Sequence, residues 1–155
     1  MILLDTNVIS EPLKANGEPK VVAWIDAQVL ETLYLSAITL AELRYGIAAM
    51  PEGKRKLAFR TSLEERVLPM FGSRILPFDV ESSNAYAALL VRARAAGKGI
   101  GIADAYIAAI AAARGFTIAT RDTSPFEAAG LPVINPWEEA SDSTDQGQTP
   151  SDAPS

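Results

Sequence analysis

Ile2-Leu3-Leu4-Asp5-Thr6-Asn7 is the stretch on which the fold turns. Three aliphatic residues run straight into an acid, and polar turn-formers follow before the apolar pair Val8 and Ile9. A short apolar run closed in this way reads as a buried strand that stops and hands over to a helix. In an open parallel sheet, ligands sit beyond the carboxyl ends of the strands, so an acid at that position points to where chemistry is done. Asp5 or Asn7 would equally serve as a cap for the next helix, and this stretch alone does not choose between the two roles.

Outward from it, strands and helices alternate. A helix opens at Pro19, with Trp24 as an apolar anchor in the core. Leu33-Tyr34-Leu35-Ser36 reads as a second strand, followed by a helix from Ala37 to about Met50 that is apolar almost all round and so expected to be largely buried. Pro51 to Pro69 is a charged amphipathic segment, mostly a solvated helix face, whose Lys54, Arg55, Lys56 and Arg60 would form the basic strip if a polyanion binds. Arg74 to Phe78 reads as a strand, and Asp79 as the N-cap of a helix that ends in Arg92, Arg94 and Gly97. The stretch from Gly99 to Gly115 holds a helix built almost wholly of Ala and Ile. Phe116 to Ala119 is a further strand, ending in Thr120-Arg121-Asp122. Leu131 to Ile134 is an edge strand, because Pro132 cannot take a central place. The alternation predicts an α/β domain: three layers, α/β/α, around a mainly parallel central sheet.

Composition narrows the chemistry. The 155-residue chain has neither cysteine nor histidine. Disulfides, thiolate zinc sites, Ser-His-Asp machinery and histidine general bases are therefore excluded. Net charge is −5, but three of the nineteen acids (Asp142, Asp145 and Asp152) lie beyond residue 139. The fourteen basic residues all precede it, leaving the remainder near balance at −2. Charge alone gives no general affinity for nucleic acid, although a bound divalent cation reverses the sign of a cleft. The amino terminus carries no basic region or cleavage site, and no apolar run approaches membrane-spanning length, so a cytoplasmic chain without membrane association is expected. Residues 1–139 read as one domain. The Ser/Asp/Thr/Gln/Pro-rich stretch 140–155 reads as a disordered tail.

Four acids sit awkwardly for a fold of this kind. Asp5 and Asp122 close strands, whereas Glu42 and Asp104 fall among apolar residues of helices. Side by side without a counter-ion they would repel one another, and some would be protonated. A hard divalent cation relieves that repulsion, and an oxygen-only ligand set suits Mg²⁺ or Mn²⁺. Such ions position and deprotonate a water and stabilise charge on a phosphoryl oxygen, so the inferred chemistry is metal-dependent phosphodiester hydrolysis. A metal-activated water leaves a 5′-phosphate and a 3′-hydroxyl, not a 2′,3′-cyclic phosphate.

The same residues carry a family resemblance. Ile2-Leu3-Leu4-Asp5-Thr6-Asn7-Val8-Ile9-Ser10, Ser36-Ala37-Ile38-Thr39-Leu40-Ala41-Glu42-Leu43-Arg44-Tyr45-Gly46, Ala103-Asp104-Ala105-Tyr106-Ile107-Ala108-Ala109 and Ala119-Thr120-Arg121-Asp122 together resemble PIN-domain toxins of the VapC type. The FitB-like branch has a similar Asn135-Pro136-Trp137. The resemblance spans about residues 1–139. It implies a PIN-like fold and a Mg²⁺-dependent ribonuclease acting on RNA, with Asp5, Glu42, Asp104 and Asp122 as the acidic catalytic and metal site. Thr6 and Thr120 fall where such proteins place supporting hydroxyls. It also implies a homodimer held by a cognate antitoxin that often carries a DNA-binding domain. Many relatives have Asn in place of Asp122 and a further acid where this chain has Pro125. A module that keeps the fold and the antitoxin contact but cleaves poorly is the alternative reading.

Overall fold

The computed structural model describes residues 1–138; the tail expected from residue 140 lies outside the described residues. Five short strands are present: β1 (Ile2–Leu4), β2 (Leu33–Ser36), β3 (Ile75–Leu76), β4 (Thr117–Ala119) and β5 (Val133–Ile134). They form one sheet in the order β3-β2-β1-β4-β5, with every neighbouring pair parallel. β1 is central. Its register sets Ile2 against Leu33 on one side and Thr117 on the other, and the Asp5 N–H continues the ladder to the Ala119 carbonyl at 2.9 Å. The chain leaves β1 in one direction for β2 and returns on its other side as β4, so the sheet changes winding direction at β1. In sheets of this kind that point opens a crevice at the carboxyl ends of the strands. Asp5 stands there.

Alternate residues of a strand face opposite sides, and the two cores follow that rule. Leu3 and Ile118 belong to a core closed by α6 (Val80–Ala95), α7 (Ile102–Arg114) and α8 (Ser124–Ala128). Leu4, Leu33, Leu35 and Ala119 belong to a second core, closed by α1 (Thr6–Ile9), α2 (Pro19–Asp26), α3 (Ala37–Ala48) and the helical run from α4 (Lys54–Thr61) through α5 (Leu68–Phe71). The expected three layers and mainly parallel sheet are thus present, Pro132 precedes an edge strand, and Trp24 packs against the second core. α7 packs tightly because its Ala-rich surface is thin: Ala105 and Ile107 to Ala111 are all buried. Among the described residues no helix is long and apolar enough to cross a membrane.

Two expectations are corrected. α3 buries only Thr39, Leu43 and Ile47, a single stripe at fourfold spacing, while Tyr45 is 77% exposed and Glu42 is on the surface. An outer-layer helix covers the sheet with one face only, and the apolar residues on its other face are left uncovered. Lys56 does not contribute to a basic strip either. It is buried, its Nζ donating to the Ala48 carbonyl at the end of α3 and to Glu52 at 2.6 Å.

Candidate active site

Asp5 ends β1 and caps α1, and it is 4% exposed. Its Oδ1 accepts the Thr6 N–H at 2.8 Å and its Oδ2 accepts the Thr120 hydroxyl at 2.8 Å. The sheet register makes the second bond possible, because Thr120 follows β4 directly beside β1. The Thr6 hydroxyl donates to Glu42 Oε1 at 2.7 Å and lies 3.1 Å from the buried Thr39 hydroxyl. The Thr39 N–H is in turn bound by Ser36 Oγ at 3.0 Å, the side-chain cap of α3. A floor of hydroxyls thus links the carboxyl end of β1 to the first turns of α3.

The acids feel one another. Burial pushes the Asp5 carboxyl up to about 6, the charges of Asp104 and Glu42 push the same way, and the bonds from Thr120 and Thr6 only partly oppose them. Asp104, half-buried in the first turn of α7, is also raised, by burial first and then by Glu42 and Asp122. Asp122 is exposed beyond β4 and does not cap α8, where Thr123 holds the N-cap position. Among the described residues none of the four acids has a salt bridge: the cationic side chains pair as Lys14–Glu11, Arg44–Glu64, Lys56–Glu52 and Arg114–Asp79.

The structure does not assemble the expected quartet as one tight cluster: Asp5 feels Asp104 and Glu42, and Asp104 feels Glu42 and Asp122. Asp5, Glu42, Asp104 and Asp122 share one electrostatic neighbourhood, yet among the described residues no three acids form a ready-made cation cage in this conformation. The ground on which Glu42 was singled out also changes. It is not a charge stranded in an apolar core but a surface acid tied to the site through Thr6. Two participants escape a reading of the sequence for charge. Thr39 belongs to the hydroxyl floor, and the Ser36, Thr39, Glu42 spacing of three is its only signal. Asn7 accepts the Arg121 N–H at 3.3 Å and so fixes the turn between Thr120 and Asp122. Glu11 is a buried acid of the opposite kind. Burial raises its pKa, but bonds from Lys14 and the Glu18 N–H outweigh this and hold it below the usual range.

The donor set fits a hard cation. It offers carboxylate and hydroxyl oxygen, has no salt-bridged cation among the described residues, and holds one nearly inaccessible carboxyl whose ionisation is penalised until positive charge arrives.

A parallel sheet with acids gathered at the carboxyl end of its central strand defines the class, and the chain belongs to the PIN-domain family, whose model matches residues 2–131. Particular relatives are similar along nearly the whole domain. A VapC ribonuclease, Y4jK, of Sinorhizobium fredii is 64% identical over 140 residues, covering 90% of this chain and all of the relative. The toxin FitB of Neisseria gonorrhoeae is 52% identical over 139 residues, with 90% and 100% covered. The solved structure of FitAB bound to an IR36 DNA fragment superposes with a TM-score of 0.85 at 51% identity, over 88% of this chain and 96% of that one.

Proposed function

We propose that this chain is a Mg²⁺-dependent endoribonuclease and the toxin of a toxin–antitoxin pair, with residues 1–139 as the nuclease unit. The observation that carries the reading is Asp5: a buried carboxyl beside Glu42 and Asp104, raised to about 6 and without a cationic partner among the described residues. Similarity to a VapC ribonuclease and to the toxin FitB supports it.

Asp5, Asp104, Glu42 and Asp122 are the residues that would hold Mg²⁺, or Mn²⁺ in its place. Bound there, the ion supplies Lewis acidity toward water and the phosphoryl oxygen, and offsets the charge that builds up in the transition state. The remaining work belongs to the chain. Thr120 and Thr6 N–H each hold one oxygen of Asp5, which fixes the plane of its carboxyl group. Thr6 steers Glu42 toward Asp5, and Glu42, being on the surface, keeps the rotamer freedom to adjust. Asp104, whose carboxyl feels the charges of Glu42 and Asp122, would complete the ligand set together with Asp122.

The exposed apolar face of α3 around Tyr45, with Val91 and Ile102 exposed on α6 and α7, supports a homodimer and a protein partner. The FitAB–DNA complex supports an antitoxin as that partner, one that carries the pair to DNA.

The test is cleavage of single-stranded RNA by wild type and Asp5→Asn, with Mg²⁺, with Mn²⁺ and with EDTA. Cleavage that needs the metal and Asp5, and leaves 5′-phosphate and 3′-hydroxyl ends, is expected. Ends with 2′,3′-cyclic phosphate, or equal cleavage in EDTA, would contradict the proposal. A well-folded protein that binds its antitoxin but cleaves under none of these conditions is the poorly catalytic module instead.

A further inference from the structure

A site built of carboxylates repels the polyanion it is proposed to cut, so positive charge must be supplied beside it. The cations that form salt bridges are spent on acids away from the site, and Arg74 is bound to the Leu33 and Met70 carbonyls. Other cations, among them Lys54, Arg60 and Lys98, likewise form no salt bridge among the described residues; Arg121 is set apart by its place, and its charge also reaches Glu11. It stands between Thr120, which bonds Asp5, and Asp122, whose charge reaches Asp104. It is exposed, and among the described residues its guanidinium donates no hydrogen bond.

It is nonetheless held firmly. Its N–H donates to Asn7 Oδ1 and its carbonyl accepts from Asn135 Nδ2, each at 3.3 Å. Asn135 Oδ1 in turn accepts the Trp137 N–H at 2.9 Å, and the Trp137 ring lies 5.2 Å from the Arg121 guanidinium carbon. Asn7 comes from the first helical turn after Asp5, and Asn135 and Trp137 from the turn that follows β5. Two segments, 114 and 14 positions away along the chain, thus converge on residue 121. A guanidinium resting on an aromatic face keeps its N–H edges free, in the fork that matches phosphate oxygens.

We infer that Arg121, seated on Trp137 and clasped by Asn7 and Asn135, is a positioning residue that binds an RNA phosphate flanking the scissile bond. The inference rests on the nuclease reading of the acid site and adds the means by which that site tolerates its substrate. Because both clasps are made to the backbone of residue 121, changing its side chain leaves them in place.

The experiment measures binding of a fluorescein-labelled, mixed-sequence single-stranded RNA at a series of KCl concentrations. Asp5→Asn serves as parent, so that the RNA survives. Arg121→Ala and Arg121→Gln are expected to weaken binding by about three- to tenfold at physiological salt, toward the lower end for a charged hydrogen bond because the site is exposed. Both are also expected to reduce the slope of log Kd against log salt by about 0.7, one single-strand phosphate contact. Arg121→Lys should keep the slope but not the full affinity, since a point charge replaces the fork. In the wild-type background Arg121→Ala should raise KM more than it lowers kcat, with the melting temperature unchanged. Slopes and affinities equal to the parent's would overturn the inference while leaving the nuclease reading intact. So would a loss confined to antitoxin binding in Arg121→Ala. If the wild-type protein neither binds nor cuts RNA, the nuclease reading falls and this inference falls with it.

Discussion

Asp5 and Asp79 do the same local job in two parts of the molecule, and everything around them differs. Each follows a strand and stands at the N-cap of a helix, its side chain accepting a backbone N–H. Asp79 Oδ1 takes both the N–H and the hydroxyl of Ser82, at 2.9 and 2.7 Å, and its Oδ2 takes Arg114 at 3.2 Å. Those partners, Ser82 first, hold its carboxyl below the ordinary range. Asp5 has hydrogen bonds of similar length but no cation, is almost wholly buried, and faces other carboxylates. Its pKa moves the other way, to about 6. A structural acid is supplied with its counter-charge by the fold; among the described residues Asp5 is not, and on the proposed reading a metal ion supplies it.

The sharpest way to break the comparison is catalysis. Asp5→Asn should lower metal-dependent RNA cleavage by at least about 100-fold, the scale seen when one electrostatic element of a transition-state site is removed. Asp79→Asn should leave kcat near wild type once folding is allowed for. Equal losses in the two variants would erase the distinction.

Stability separates the two by sign. For Asp5, whose folded pKa lies above the unfolded 3.8, folding is favoured with the carboxyl protonated. That contribution is complete below about pH 3.8 and is lost as pH rises through about 6. Above pH 6 Asp5→Asn removes the penalty and should stabilise the metal-free protein by up to about 3 kcal/mol, since each tenfold change in proton affinity is worth about 1.36 kcal/mol. The amide suits the site, since its oxygen can accept Thr6 N–H while its nitrogen donates to the Thr120 hydroxyl. Asp79 has a depressed pKa, so its contribution is present above the unfolded value and is lost as pH falls through the folded one. Asp79→Asn should therefore destabilise at neutral pH and matter less in acid. Urea unfolding of the two variants at pH 8 and pH 4 reads both signs.

Smaller effects sharpen the same contrast. Asp104→Asn should also stabilise the metal-free protein, by less than Asp5→Asn because Asp104 is only half-buried, and should still abolish cleavage. Thr120→Val removes a bond that holds the Asp5 carboxylate down. The acid limb of the pH–rate profile should move to higher pH, and an NMR titration of Asp5 should shift with it.

The fold was legible in the sequence because its signals are local. Ile2-Leu3-Leu4 before Asp5, Phe116 to Ala119 before Thr120 and the Asp79 cap each announce an element within a few residues. Pro132 likewise marks the edge strand. The α3 layer was not legible. Ile38, Ala41, Leu43 and Tyr45 look alike as apolar residues, and only the packing of Thr39, Leu43 and Ile47 onto the sheet decides which stripe is covered. The acids were singled out by their incongruity, and the structure buries Asp5 almost wholly and Asp104 by half. For Glu42 the argument was mistaken, since that residue is exposed and is tied to Asp5 only through Thr6. Thr39, Asn7 and Asn135 are uncharged and make their contacts across 14 to 114 positions of chain, so beyond the spacing of Ser36, Thr39 and Glu42 no local pattern exposes these contacts.

Equilibrium unfolding at pH 8 across a Mg²⁺ titration shows whether Asp5 lies in a pocket short of one positive charge. Wild type should gain about 1.4 kcal/mol for each tenfold rise in Mg²⁺ beyond the dissociation constant, and Asp5→Asn should gain little over the same range. Equal gains in the two proteins, or none in either, would contradict the claim.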